Sequence, residues 1–452
     1  MSRRFTATVS SVVAGAALAL CSVPGAAGAA TSRLSSDTFP SLPSRTHVSI
    51  TLASYMPLLG PPGVKELSSL VSGFEALHPN IDVTTEAETT SSAIDGQIQQ
   101  DEVAGKTPDV VQDTFSDLKF VTKSLGAVDL DQVVGKASVA ALFGGPSPYA
   151  TAVTKLGVVN GDVYGIPWTL STPTLFYNAT LFSQAGLNPS DPPTTWQELQ
   201  TDALKIKSST GAAGLSNGCL GAGATGADWC LQAIIDSAGG SVLNAPQTKL
   251  TFDAPKTVVA LQKMQGLAQS GAMVNLSSAQ TTQAFAAGKL AMVLNSSALQ
   301  SSLIAADGGH FKMMAAAMPG FGTQKAVPTN SGSALFMLST QKANREADWE
   351  LMQYLTSPAS ETTITENIGY PPLRPAIATQ AKYLLSWAKA NPFLTPNLYQ
   401  LEHISPWLAY PGPNYTQIET ILLNAAANIA YQGASPTSTM KAAQSQATGL
   451  LS

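Results

Sequence analysis

Residues 164–182 read YGIPWTLSTPTLFYNATLF: an apolar, strand-like opening, a break rich in Ser and Thr, then the start of a helix. An aromatic residue beside a proline, several hydroxyls in a row and a Tyr-Asn pair suit a segment that leaves one core. Such a segment crosses a gap, shows its hydroxyls there and enters a second core.

The rest of the chain is consistent with two cores. Its 452 residues exceed what one hydrophobic core usually supports. With 44% apolar and 12% charged residues the chain can bury large cores, which excludes global disorder.

Arg3 and Arg4 precede an apolar run ending near Leu20, with small residues at Ala27 and Ala29. Residues 1–29 are therefore expected to be a secretory signal peptide, and the run is too short and too rich in Ala, Ser and Thr for a membrane anchor. At Cys21 the bulky Leu20 stands where lipid acylation wants a small residue, so anchoring there is disfavoured. The expected location is exported, periplasmic or cell surface. Without residues 1–29 the balance is 22 basic to 29 acidic residues, a formal −7, which leaves no footprint for nucleic acid.

Residues 30–46, rich in Ser, Thr and Pro, are expected to be a flexible linker, with the folded body starting at His47. From there strand and helix signals alternate. HVSITLASY (47–55), IDVTTEAE (81–88) and PDVVQDT (108–114) are strands, while GVKELSSLVSGFEALHPN (63–80) and AIDGQIQQDEVAGKT (93–107) are helices. A second series opens with TWQELQTDALKIKSS (195–209), a helix with Thr194 or Thr195 as cap and Glu198 in its first turn. It continues through strand, helix, helix, the unit QTTQAFAAGKLAMVLNSSALQSSL (280–303) and SALFMLS (333–339), and is mostly helical afterwards. The order predicts an α/β protein of two lobes with a ligand cleft between them. Cys219 and Cys230, eleven apart in an oxidising compartment, pair as a disulfide in one reading and are free buried thiols in the other.

Eight segments occur in an order that resembles one known family: FEALHPNIDV, AGKTPDVVQ, YGIPWTLSTPTLFYNATLFSQAGL, PPTTWQEL, AFAAGKLAMVLNSS, NSGSALFML, ADWELMQYLTSP and NIGYPPLRPA. The chain resembles the extracellular solute-binding proteins of carbohydrate-type ABC importers, in the branch with maltose-, oligosaccharide- and glycerol-3-phosphate-binding members. GYPPLRPA leans toward the last of these. The resemblance implies a two-lobe periplasmic-binding-protein fold with three hinge crossings and a central cleft. Lobe 1 would comprise residues 47–168 plus 295–341 and lobe 2 residues 169–294 plus 342–452. The crossings would fall in IPWTLS, at Leu294–Ser297 and near Ser339–Ala343. The implied function is capture of a carbohydrate or polyol, an oligosaccharide or a glycerophosphodiester, by hinge closure and its delivery to membrane permease subunits. The protein would be a monomer without cofactor or metal.

A polyol site needs hydroxyls, amides or carboxylates, backbone N–H groups and aromatic platforms. Ser171 or Thr172 faces the cleft in the implied crossing. Ser296 and Ser297 either offer a helix N-terminus to ligand oxygens or only cap that helix. Gly332 allows close ligand approach or is a turn residue. Tyr370 donates or stacks, or is half-buried core, and Arg374 reaches an anion or lies on a solvated face. Trp229, beside Thr225 and Asp228, is a stacking platform or a core residue. Trp407, Tyr410 and Tyr415 form an aromatic cluster of which at least one ring is expected to touch ligand. In DVVQDTFSD (109–117), with Gln112, Phe115 and Asp117 as neighbours, Asp113 is the candidate acid. Glycerol-3-phosphate binders tend to carry an Arg where this chain reads WLAYPGPNY, so a charged fork for a phosphate is missing there.

The rival class is a secreted carboxylate-dependent glycoside hydrolase, whose two acids need no fixed spacing. No HExxH, G-x-S-x-G or P-loop occurs, and His47, His78, His310 and His403 show no paired spacing. An adhesion or structural surface protein would show repeats or long stalks, and only the short linker resembles one.

Overall fold

The computed structural model describes residues 39–88, 91–224 and 227–451. The expected leader, Cys21, the first part of the linker and Thr225 lie outside these residues.

The chain first builds β1 (Val48–Ser54), α1 (Pro61–Leu77), β2 (Ile81–Ala87), α2 (Ser91–Ala104) and β3 (Val110–Thr114). α1 keeps Leu67, Leu70, Val71 and Phe74 on its buried face, the spacing that makes it a helix. α3 (Leu118–Lys123), α4 (Lys136–Phe143), the small hairpin β4 (Val158–Val159) and β5 (Asp162–Val163), and then β6 (Gly165–Ser171) follow.

The second lobe opens with β7 (Pro173–Asn178), α5 (Ala179–Gln184), α6 (Trp196–Thr210), β8 (Ala213–Asn217) and α7 (Trp229–Ser237). Thr195 and Glu198 form the capping box of α6. Next come α8 (Pro255–Gln269), β9 (Met273–Val274), α9 (Ser278–Ala286), β10 (Leu290–Ser296), α10 (Gln300–Asp307) and β11 (Met313–Ala317). The chain ends with β12 (Ser331–Met337), α11 (Lys342–Leu355), α12 (Pro358–Asn367), α13 (Leu385–Ala390), α14 (Leu394–Leu401), α15 (Tyr415–Gln432) and α16 (Pro436–Thr448).

Two five-stranded sheets result, in the orders β2-β1-β3-β12-β6 and β11-β7-β10-β8-β9. In the first, β1 is parallel to β2 and β3, and β12 is antiparallel to both β3 and β6. β1, β3 and β6 therefore end at the same edge. In the second, β8 is parallel to β9 and β10, while β7 is antiparallel to β10 and β11.

The sheets correct several expected boundaries. The whole of Gly165–Ser171 belongs to the first sheet, so the chain changes lobe at Thr172 and not at residue 169. After Ser297 it does not cross: β11 pairs with β7 in the second sheet, and only β12 returns to the first. The segment KMMAAAM carries little strand signal because alanine has low β propensity, and strand pairing alone decides its place. α11 and α12 stay with the first lobe, where Trp349, Leu351, Met352, Leu355 and Ile364 join the core of Ile50, Phe74 and Phe336. An amphipathic pattern identifies a buried face but not the sheet that covers it. The chain reaches the second lobe again between Leu373 and Phe393, which lie in first-lobe and second-lobe cores respectively.

The described part of the linker is also pinned. Leu42 is buried in the first-lobe core with Phe39 packed against it, and their N–H groups donate to Glu350 and Ser138. Two apolar side chains among prolines suffice to dock a segment that lacks periodicity.

Candidate ligand-binding cleft

Ligands of open α/β sheets sit beyond the carboxyl ends of the parallel strands. Here both lobes turn such an edge toward the crossing at Thr172. Ser297 holds that crossing: its N–H donates to the Thr172 carbonyl at 3.0 Å, and its hydroxyl accepts from the Thr172 N–H at 3.3 Å. From α14, Gln400 Nε2 donates to Thr172 Oγ1 at 2.8 Å and to the Pro173 carbonyl at 3.0 Å. Asn397 of the same helix accepts from Thr174.

On the first lobe a line of polar side chains runs over neighbouring strands. The Ser54 hydroxyl donates to Gln112, Gln112 Nε2 donates to Ser333 Oγ at 3.0 Å, and Ser333 and Thr169 share a hydrogen bond of 2.7 Å. Two tyrosines stand on this line, Tyr370 beside Thr169 and Tyr55 beside Ser333. Burial pushes the Tyr370 hydroxyl up to about 12. Burial first, then Tyr370 and Asp113, raise Tyr55 further, so both remain neutral donors at any physiological pH.

Beyond β3 the chain turns through Thr114–Asp117. The Thr114 hydroxyl donates to Asp117 Oδ2 at 2.6 Å, and Asp113 Oδ1 accepts the Thr114 N–H at 2.7 Å. Asp117 also takes a hydrogen bond from Tyr415, at the start of α15 in the other lobe. Burial nonetheless raises its carboxyl, with these bonds opposing. One turn further along α15, Glu419 is driven up to about 9 by burial and by Asp228 and Asp117. Lys119 Nζ donates to Gln247 Oε1 at 2.9 Å, a second bond from lobe to lobe.

The expected site residues fall into two groups. Asp113, Ser171, Ser296, Ser297, Gly332 and Tyr370 lie at the strand ends or the crossing. Gly332 has φ +116°, and a Cβ there would come 2.1 Å from the Thr169 carbonyl oxygen. Its close approach is thus to β6 backbone. Ser297 is fully buried in the hinge, and Ser296 accepts from the Ala298 N–H as a cap. Trp229, Trp407 and Tyr410 gather instead in the second-lobe core around Asp228. Trp407 Nε1 donates to Asp228 Oδ1 at 2.8 Å and Tyr410 to Oδ2 at 2.7 Å, and Gln232 Nε2 adds two bonds of 3.1 Å. The polar tips of Trp407 and Tyr410 are turned inward to a carboxylate. Phe115 is first-lobe core.

Arg374 is neither on a solvated face nor at the cleft. It is buried, donates to the carbonyls of Leu142, Ser147 and Thr356, faces Glu361 at 3.3 Å and lies over the Tyr149 ring. Cys219 and Cys230 form a disulfide with Cα atoms 5.0 Å apart. It ties the loop after β8 to the first turn of α7. Tyr55, Thr169, Ser333 and Glu419 escaped the sequence reading. For Tyr55 the position just past the end of a parallel strand was an available signal.

The sequence description of the bacterial extracellular solute-binding protein family matches residues 60–362. The chain belongs to that family. The sn-glycerol-3-phosphate-binding periplasmic protein of Yersinia pestis biovar Antiqua is 27% identical over 223 residues, 48% of this chain and 50% of the relative. The chain spans about half the length of that relative. A probable ABC transporter-binding protein of Deinococcus radiodurans is 26% identical over 338 residues, 71% of this chain and 74% of its own. Among solved structures, the cyclic alpha-maltosyl-1,6-maltose binding protein of Arthrobacter globiformis superposes with a TM-score of 0.75 at 20% identity, covering 90% of this chain and 99% of its own. The Mycobacterium tuberculosis protein UgpB, in complex with glycerophosphocholine, gives 0.75 at 20% identity over 89% and 98%. These likenesses show the two-lobe solute-binding fold.

Proposed function

We propose that this solute-binding protein is the extracytoplasmic substrate-binding component of an ABC importer. It captures a carbohydrate or polyol-type ligand, an oligosaccharide or a glycerophosphodiester, by hinge closure and delivers it unchanged to membrane permease subunits. The observation that carries this reading is the pair of bonds across the cleft, Asp117 to Tyr415 and Lys119 to Gln247, above a floor of hydroxyls and amides. Contacts that exist only when the lobes meet let a ligand stabilise the shut form.

The side chains at the cleft favour a ligand rich in hydroxyls. Tyr55, Tyr370, Ser333 and Thr169 offer neutral groups, Asp113 and Asp117 offer acceptors, and Glu419, brought to about 9 by burial and its acidic neighbours, holds a proton to donate at neutral pH. No arginine is among the described residues named here as lining it, so a free phosphate monoester lacks the fork that binds it best. Among the described residues no helix is long and apolar enough to cross a membrane. We read the protein as exported and monomeric, and as a carrier that leaves its ligand intact.

Calorimetric titration with maltose, trehalose, glycerophosphocholine and glycerol-3-phosphate tests the reading, with chromatography of the ligand afterwards. Saturable binding of a neutral or zwitterionic member, recovered intact, is expected. Binding of none, or recovery of hydrolysed sugar, overturns it.

A further inference from the structure

Gln300 stands at the first position of α10, three residues beyond the hinge serine Ser297. Its side chain is 1% exposed, yet neither the amide oxygen nor the amide nitrogen has a hydrogen-bond partner. A buried carboxamide left unpaired is costly, and native proteins rarely keep one without a use. Hydrophobic neighbours in sequence, Leu299 and Leu303, turn into the second-lobe core, but Gln300 also meets Gly369 of the loop after α12. Gly369, which leads from α12 to Tyr370, has φ +102° and sits so close that a Cβ there would lie 3.4 Å from Gln300 Cβ and 3.0 Å from Ser301 Oγ. The missing side chain lets the first-lobe loop come down on α10. Gln300 thereby packs against the first-lobe loop that leads directly into Tyr370, with its amide out of reach of water.

We propose that Gln300 is a ligand contact that reads a vicinal diol, an inference that rests on the polyol-binding function above. A carboxamide presents an acceptor and a donor side by side. Two adjacent hydroxyls of a sugar or glycerol unit match it, one donating to Oε1 and the other accepting from Nε2. A lone phosphate or carboxylate would satisfy the nitrogen and face the oxygen with like charge. The site therefore selects hydroxyl pairs over anions.

The test uses the full mature chain with Gln300→Leu and Gln300→Asn. The ligands are maltose, trehalose, glycerophosphocholine and, for whichever binds, its analogue lacking one hydroxyl of a diol. Leu keeps the volume without polar atoms, so the unliganded melting temperature should not fall, while the dissociation constant should rise at least about tenfold, the scale of unpaired ligand hydroxyls. Gln300→Asn, which retains an amide but withdraws it by one carbon, should also weaken binding. For the deoxy analogue recognised by this contact the loss on Gln300→Leu should shrink to under about threefold, because the partner hydroxyl is already absent. A wild-type protein that binds a diol while both variants bind it equally well overturns the inference and leaves the function standing. A wild-type protein that binds none of these ligands overturns both.

Discussion

Tyr410 donates its hydroxyl to Asp228 Oδ2 at 2.7 Å, inside a second-lobe core where the carboxylate is fully buried. Trp407 serves the other oxygen, and Gln232 bonds both. Three rings that looked like ligand platforms are thus tied to the scaffold, two of them through one acid and Trp229 through its place at the head of α7. Removing the acid leaves donors buried without acceptors, each costing roughly 1–3 kcal/mol. Asp228→Ala should destabilise the protein by about 3 kcal/mol or more in urea denaturation, and Asp228→Asn, which retains one acceptor oxygen, by less. An Asp228→Ala protein as stable as the parent would show that the cluster is not structural.

Gly332 marks where β12 and β6 approach too closely for a side chain. An alanine there must adopt φ +116° and displace the Thr169 carbonyl, a combination of strain and overpacking worth at least about 2 kcal/mol. Gly332→Ala should lower the melting temperature of the ligand-free protein. A variant that melts normally but loses ligand affinity would return this glycine to the binding surface.

The opening elements β1, α1, β2, α2 and β3 and the capped α6 were legible from their periods and stop signals, whereas α3, α4 and the hairpin β4–β5 are too short to show a period. The crossing at 164–182 was legible because strands with Trp168 and Phe176 flank a hydroxyl-rich break. What could not be seen was the partner of each buried face. β11 is an alanine-rich strand identified only by its pairing with β7, and α11 shows an amphipathic stripe that would suit either sheet. The same limit applies to the cleft. Ser54, Gln112, Ser333 and Thr169 are far apart in the chain and become one polar line only when β1, β3, β12 and β6 are ordered. Arg374 beside GYPPL suggested an anion contact, whereas its guanidinium is spent on loop carbonyls.

Lys119 and Gln247 join the two lobes, and each is half-buried. Single contacts of this kind contribute about 0.2–1 kcal/mol, so Lys119→Ala should weaken ligand affinity by about 1.4-fold to fivefold by disfavouring the shut form. Stability of the ligand-free protein should hardly change. Small-angle scattering with and without ligand would show the same closed state reached at higher ligand concentration. Unaltered affinity would mean that this bond does not contribute to closure.

Buried acids set the response to pH. Carboxyls in an unfolded chain ionise near pH 4. Burial, with Asp228 and Asp117 nearby, brings Glu419 to about 9, and burial brings the half-buried Asp236 to about 7. Between those values the folded protein holds protons that the unfolded chain has released, so the stability they confer is complete below about pH 4 and is lost as pH rises toward 7 and then 9. Each proton steepens the fall by up to about 1.4 kcal/mol per pH unit, less for the half-exposed Asp236. Glu198, whose carboxyl is lowered by hydrogen bonds from Thr194 and Thr195, works in the opposite sense, but only below its ordinary range. Urea midpoints should therefore decline from pH 5 to pH 9 in the parent, and Glu419→Gln, which keeps a neutral side chain at every pH, should remove part of the decline above pH 7, the remainder belonging to Glu361, which burial brings to about 8. A parent protein whose midpoint is level between pH 7 and 9 would place Glu419 in contact with water and dissolve its coupling to Asp117 and Asp228.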